Sequence, residues 1–234
     1  MNTLSQSMKK SPAGWIPREW DVPKLGDATK CYSGGTPSRT KPEYYNGKIP
    51  WIKSGELNQV HVHQTEEKIS SLALENSSAK IVPPNTVLLA LYGATAGVIG
   101  VTKIETAINQ AILAIIPSTR LTNEFLFYVL HRTVQTELSK VLQGGQPNLS
   151  AEIVKSFFIP LPPLPEQRKI AAIFSTWDRA LEKMEALIVA KRRLKRGLMQ
   201  ILMTGGKSFL SIRRSEWSML SFSIWQRVEA ASKH

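Results

Sequence analysis

The residues that could carry chemistry in this chain fall into patterns that stop short of it. Pro83-Pro84-Asn85 has the residue types of an amino-group methylating site. That site needs Asn or Asp ahead of the two prolines and an aromatic behind them, and the order here is reversed. A metal-dependent nuclease needs grouped carboxylates. The three aspartates, Asp21, Asp27 and Asp178, form no Pro-Asp…Glu-x-Lys pattern. Gly206-Lys207-Ser208 imitates the end of a phosphate-binding loop, but the first glycine of such a loop would fall at position 201, which is Ile, after a helical pattern instead of a strand. His61 and His63 could share a strand face, yet two histidines without further ligands are ordinarily surface residues. Gly93, Gly97 and Gly100 read as tight strand packing or a loop approached closely by a partner, not as a cofactor cradle. Cys31 is alone, so neither an internal disulfide nor a cysteine-rich metal site can form. No catalytic residue, no metal and no cofactor held by this chain is expected.

Charge points to binding instead. The 234 residues carry a net charge of +12. Residues 1–160 hold 16 Lys/Arg against 12 Asp/Glu, and residues 161–203 hold 9 against 4. A basic balance of this kind favours a polyanionic partner. A single cysteine fits a reducing cytoplasm. Met1–Lys10 lacks the apolar core of a signal peptide, and no apolar run reaches membrane-spanning length.

The elements that would position binding residues are readable. Leu161-Pro162-Pro163-Leu164-Pro165-Glu166-Gln167-Arg168 opens a stretch free of Pro and Gly up to Arg196, stopped by Gly205-Gly206. Pro165 suits a first helical turn and Glu166 complements the helix dipole. Apolar residues recur at steps of three and four: Ile170, Phe174, Trp177, Leu181, Met184 and Ile188, then Leu194, Leu198 and Ile201. That spacing is the seam of a long helix, roughly 55–60 Å, packed lengthwise on another helix. The basic run Lys191–Arg196 reads as a solvated face that could also follow phosphates or dock an acidic surface.

Upstream, residues 1–14 read as a flexible terminus and 15–160 as one mixed domain. Trp20, Val22, Leu25 and Ala28 have strand-like spacing, and Cys31–Ser38 is a turn cluster. Ile49–Lys53 reads as an edge strand because Pro50 stands near its start. Residues 54–80 are ambiguous. Thr86–Tyr92 is a buried strand, followed by strands at Ala96–Val101 and Ala111–Pro117. Thr122 can cap a helix from Asn123 to about Leu142, with Leu126, Leu130, Val134 and Leu138 on one face. Gln143–Ser150 is a polar loop, and Phe157–Pro160 a last strand. Ser215-Glu216-Trp217…Phe222 in the tail echoes Arg18-Glu19-Trp20…Leu25, so residues 207–234 read as the opening of a second, cut-off copy.

With these pieces in order, the chain resembles the specificity subunit of Type I restriction-modification systems. The resemblance rests on Trp20…Leu25-Gly26-Asp27, Ser33-Gly34-Gly35-Thr36-Pro37, Ile49-Pro50-Trp51-Ile52 and Tyr92-Gly93-Ala94-Thr95-Ala96-Gly97. It continues through Ile108-Asn109-Gln110-Ala111, Gln146-Pro147-Asn148-Leu149-Ser150 and Ile159–Gln167 with its helix. The resemblance implies an α+β fold: a target recognition domain over 15–160, then a spacer helix over 161–206 that pairs antiparallel as a coiled coil. It also implies double-stranded DNA as ligand and methyltransferase subunits as partners, with S-adenosylmethionine held by the partner and adenine methylated. Restricting complexes add a motor-nuclease subunit. Family members carry two domains and two helices, whereas this chain has one of each. It would be either a half-length subunit that dimerises or a truncated product. A free-standing dimeric DNA-binding regulator and a decoy assembly protein remain alternatives.

DNA contacts are expected on loops. Arg39, Lys41, Lys48 and Lys53 suit phosphates. Thr36, Tyr92, Thr95, Gln143, Gln146 and Asn148 suit base edges. Each could equally be a solvated loop residue or turn former, and Asn109-Gln110 could tie neighbouring loops together.

Overall fold

The computed structural model describes residues 7–141 and 149–203. Eleven strands and five α-helices are present among them: β1 (Met8–Ser11), β2 (Gly14–Pro17), α1 (Leu25–Ala28), β3 (Thr29–Ser33), β4 (Ile49–Ile52), β5 (His61–Val62), β6 (Glu67–Ile69), α2 (Ser71–Glu75), β7 (Lys80–Val82), β8 (Val87–Ala90), β9 (Ile99–Thr102), β10 (Thr106–Ile108), β11 (Ile112–Pro117), α3 (Asn123–Val141), α4 (Ala151–Ser156) and α5 (Leu164–Met203). The class is α+β, and the last helix among the described residues is 40 residues long.

Two sheets stack in the middle of the first compact unit. One has the order β3-β11-β8-β9-β5 and the other β6-β4-β10-β7. Side-chain alternation along the strands decides which layer each residue enters. Val87 and Leu89 of β8, with Leu113 and Ile115 of β11, join Leu126, Leu130 and Val134 of α3 in the largest core. Their neighbours Leu88, Ala90, Ile112 and Ala114 face the other way and meet Ile52, Val82 and Ile108 of the second sheet. Trp51 and Ala107 point outward from that second sheet onto Tyr44 and Ala73. Strands β8 and β11 are thus buried on both faces, which is why their sequences read as unbroken apolar runs. Thr122 caps α3 as its position predicts, its hydroxyl accepting from Phe125 N at 3.3 Å.

Several expectations are corrected. Residues 1–14 are not loose throughout: β1 pairs antiparallel with β2. Ser11 closes the turn by donating to Gly14 O at 2.7 Å, and Gly14 takes the positive φ of 97° that the turn needs. The strand spacing around Leu25 gives way to α1. Cys31–Ser33 belongs to β3, so the turn begins at Gly34. Strand β4 is interior, between β6 and β10. Pro50 is tolerated there because the β10 ladder starts one residue later, at Trp51↔Ala107, and Pro50 O accepts from the Thr106 hydroxyl at 2.9 Å. The last strand is replaced by α4, capped by Ser150, and by single bridges Lys24↔Phe158 and Asp21↔Leu161.

The domain boundary also moves. The first unit ends at Ala171 and a second begins at Ala172, so the opening turns of α5 belong with the domain assigned to 15–160. Ala171 is buried and Ile170 packs on the same core, which takes Ile170 out of the helix seam. Within the second unit, Phe174, Trp177, Leu181, Met184, Ile188 and Ile201 are exposed, and Leu194 and Leu198 are half-buried. The tail over 207–234 lies outside the described residues.

Gly34 follows β3 directly against β10: a Cβ there would lie 1.8 Å from Ile108 O. Gly34→Ala should lower unfolding free energy by about 1–3 kcal/mol, the usual range for forced overpacking. Gly55→Ala, with nothing within 4 Å of its added Cβ, should stay within about 0.5 kcal/mol. Urea denaturation of both variants checks this.

Candidate nucleic-acid interface

Strand register gathers the loops at one end of the stacked sheets. Ser33 pairs with Leu113, Ile112 with Ala90, and Leu89 with Ile99. The end of β3, the start of β11, the end of β8 and the start of β9 therefore coincide. The second sheet adds the ends of β4 and β10, because Ile108 pairs with Ile52 in a parallel ladder. The segments leaving this end are Gly34–Thr36, Lys53, Leu91–Val98 and Asn109–Ala111.

Main-chain bonds tie these segments to one another. Gly35 N donates to Ile108 O at 3.1 Å, and Asn109 N to Ile52 O at 3.2 Å. Leu91 N donates to Ala111 O and Leu149 N to Leu91 O, both at 2.8 Å. The buried indole of Trp51 donates to Gly35 O at 3.2 Å, linking two of the motifs that the sequence set apart. The Thr36 hydroxyl donates to Gln110 Oε1, and Ala111 N donates to Asn109 Oδ1 at 3.1 Å. Asn109-Gln110 is accordingly a tie between loops.

Thr36, Tyr92 and Thr95 are brought together at this end. Thr36 and Tyr92 are exposed and Thr95 is half-buried. Tyr92 leads into a single 3-10 turn, Gly93–Thr95, entered with Gly93 at φ 78°. Gln143, Gln146 and Asn148 lie outside the described residues.

The four cations divide. Lys53 follows β4 at the loop end, while Lys48 precedes β4 at the opposite end, a strand length of about 13 Å away. Lys48 is exposed there. Lys41 donates to the Tyr44 hydroxyl at 3.1 Å, and that bond raises the lysine's pKa. Tyr44 O in turn accepts from Ser70 N, just beyond the far end of β6.

Arg39 and Lys53 are engaged locally. Arg39 makes a forked pair with Glu67 at 2.6 and 3.2 Å, and its guanidinium lies 4.2 Å from the Tyr45 ring centre. Lys53 reaches Glu66 and Glu67, both at 2.9 Å. Buried Glu56 braces the cluster from below, accepting from Lys53 N and Glu66 N, each at 2.8 Å. The bond from Arg39, then that from Lys53, holds the Glu67 carboxyl below its ordinary value against partial burial. Glu67 raises Arg39 reciprocally, and Glu66 followed by Glu67 raises Lys53. The two cations are thus presented beside two carboxylates, not as bare charge.

Sequence reading missed Glu56, Glu66, Glu67 and Tyr45, which fall in stretches without clear periodicity. The one available signal was Glu56 three residues after Lys53, the spacing at which a carboxylate caps a helical turn. Among the described residues no group of three His, Cys, Asp or Glu could hold a metal ion, and no helix is long and apolar enough to cross a membrane.

This architecture, a loop-bearing double sheet followed by a long helix, matches a known class. Residues 17–191 match the type I restriction modification DNA specificity domain, and the chain belongs to that family. It is 33% identical over 179 residues to the type I restriction enzyme MjaIX specificity subunit of Methanocaldococcus jannaschii, covering 74% of this chain and 41% of that protein. It is 28% identical over 166 residues to the EcoR124I/EcoR124II specificity subunit of Escherichia coli, covering 68% and 41%. The chain therefore spans about two fifths of the length of these curated relatives. The fold is shared with the crystal structure of the HsdS subunit from Thermoanaerobacter tengcongensis, at TM-score 0.60 and 21% identity, over 85% of this chain and 48% of that one. The S subunit from M. genitalium aligns at TM-score 0.54 and 18% identity, over 86% and 50%.

The Glu67 cluster has a pH signature. A carboxyl whose folded pKa is depressed contributes stability that is present above its unfolded value, 4.5, and lost as pH falls through the folded value. Stability should therefore decline from pH 5 toward pH 3 more steeply in the native chain than in Glu67→Gln. Urea midpoints at the two pH values measure the difference.

Proposed function

We propose that this chain is the DNA-recognition component of a type I restriction-modification methyltransferase, itself without catalysis. The observation that carries this reading is the convergence of Gly34–Thr36, Lys53, Tyr92–Thr95 and Asn109–Gln110 at one sheet end, in a member of the specificity-domain family. Thr36, Tyr92 and Thr95 would meet base edges, and Arg39 and Lys53 would contact the DNA from their braced cluster. Partner methyltransferase subunits would hold S-adenosylmethionine and methylate adenine. In restricting complexes a motor-nuclease subunit would join them. The single cysteine and the basic charge suit a cytoplasmic DNA-binding assembly.

The recognised site would be bipartite, built by two chains paired antiparallel through α5. Two features support that pairing. The exposed stripe from Phe174 to Ile201 is centred near Leu187–Ile188, so a two-fold axis there opposes one end of the stripe to the other. The charges are also lopsided: Asp178, Glu182 and Glu185 stand with Arg179 and Lys183 before this centre, whereas Lys191, Arg192, Arg193, Lys195 and Arg196 follow it with no carboxylate among them. Antiparallel pairing sets the near-neutral, carboxylate-bearing half against the basic half, whereas parallel pairing sets five cations against five. Two identical readers related by a two-fold axis would select inverted, identical half-sites.

Methylation of DNA by the co-purified methyltransferase subunit should require this chain. Identical methylation with and without it would overturn the reading. Each seam leucine buried between helices contributes about 1.5–3 kcal/mol. Leu181→Lys with Ile188→Lys should therefore abolish self-association, seen as a halved mass in sedimentation equilibrium; an unchanged mass would count against the paired seam.

A further inference from the structure

We infer that Gln167 is a positioning residue which locks the start of α5 to the recognition domain and thereby sets how strictly half-site spacing is enforced. The inference rests on the specificity-subunit reading and adds to it a residue whose job is spacing rather than base readout. Gln167 is 0% exposed although it lies in the first turn of a helix. Its Oε1 accepts from Thr122 N at 2.9 Å. Its Nε2 donates to Arg120 O and to Pro162 O, both at 2.8 Å. One amide thus satisfies a donor and two acceptors of the main chain, on the segment before α3 and on the segment entering α5.

The chemistry leaves few substitutes. A carboxylate of the same size has no proton for the two carbonyls, and an apolar side chain leaves three buried main-chain groups unpaired. Other ties surround this one. Trp20 Nε1 donates to Glu166 Oε2 at 3.0 Å, and Arg120 pairs with Asp21. Asp21 and Leu161 exchange main-chain bonds at 3.2 and 2.8 Å. Ile170 and Ala171 pack on the large core. Arg120 and Asp21 are both more than half exposed, so water can replace that pair. Water cannot reach Gln167. All these contacts are made before Ala172, inside the first unit.

Spacing is sensitive to such a joint. Successive bases along a strand are about 3.4 Å apart, and a helix of 40 residues is about 60 Å long. A swing of about 3° at its base therefore moves its far end by about one base step. Misplacement of about 1 Å far from reacting atoms can already cost about a hundredfold in rate.

The test uses the full chain co-purified with its methyltransferase subunit. The site is first mapped by sequencing methylated adenines, and DNAs are then made with the spacer at native length or changed by one base pair. The native complex should prefer its own spacing by about a hundredfold or more. Gln167→Leu and Gln167→Glu should lower that preference by about tenfold or more, as a ratio of rates within one preparation. An unchanged ratio in either folded variant would overturn the inference, because a merely structural residue would reduce both rates together. Hydrogen exchange on the native chain covers the case where neither variant folds. The Thr122 amide should exchange as slowly as β11 amides, and exchange at a loop rate would overturn the lock. Absence of methylation by the native complex on any DNA would instead count against the specificity-subunit reading, and the exchange result would still decide whether the joint is rigid.

Discussion

The whole recognition domain depends on two sheets being pressed face to face through small and branched side chains. Leu88, Ala90, Ile112 and Ala114 on one sheet meet Ile52, Val82 and Ile108 on the other. The two alanines and Gly34 let the layers approach. The short link from β10 through Asn109–Ala111 to β11 joins the sheets at a single end. Once that link is made, parallel β4 and antiparallel β3 and β8 have no choice about where their loops emerge. A concentrated loop surface is thus a consequence of core packing, not of the loops themselves.

The chemistry at that end is selective rather than simply cationic. A phosphate approaching Arg39 or Lys53 also meets Glu66 and Glu67, so attraction is largely cancelled at close range. Arg39 nevertheless keeps a fixed orientation, forked on Glu67 and stacked on Tyr45. A held guanidinium loses less freedom on binding than a mobile one and discriminates better between acceptor patterns. The chain's excess positive charge lies elsewhere, most densely on α5 over Lys191–Arg196. On the proposed function, long-range attraction to a polyanion and local discrimination would fall to different parts of the molecule.

Where one periodicity dominated, the sequence was legible. Helix α3 with its Thr122 cap, buried β8 and β11, and α5 running to Met203 emerged close to their observed limits. The errors came where packing overrode local preference. Pro50 signalled an edge, but the β10 ladder begins only at Trp51 and the Pro50 carbonyl is satisfied by the Thr106 hydroxyl, so β4 sits inside. Met8–Ser11 looked loose because its strand partner hides half its pattern in a turn glycine. Ile170 kept the seam spacing yet turned into the domain core, since three further bonds at Gln167 fix the rotation of that first turn. The binding candidates fared unevenly for a similar reason. Thr36, Tyr92 and Thr95, chosen as residues suited to base edges, lie at one end of the stacked sheets, whereas Lys48 stands at the other end of β4, because neighbours in a loop–strand–loop unit are separated by the strand. The glutamates that control Arg39 and Lys53 carry no pattern of their own.

The same helix obeys opposite rules along its length, and this division explains its composition. Up to Ala171 the buried Gln167 is fully paired, and Ile170 and Ala171 pack on the large core. From Phe174 to Ile188 the apolar stripe is exposed. A helix 40 residues long gains too little from intrinsic propensity to keep Trp177, Leu181 and Met184 in water without a compensating surface. In the pairing proposed above, a second copy, reversed, would cover the stripe and set the basic run against the half that carries the carboxylates. On the proposed function, a helix rooted by Gln167 and paired along its stripe would turn a local reading of bases into a requirement on distance.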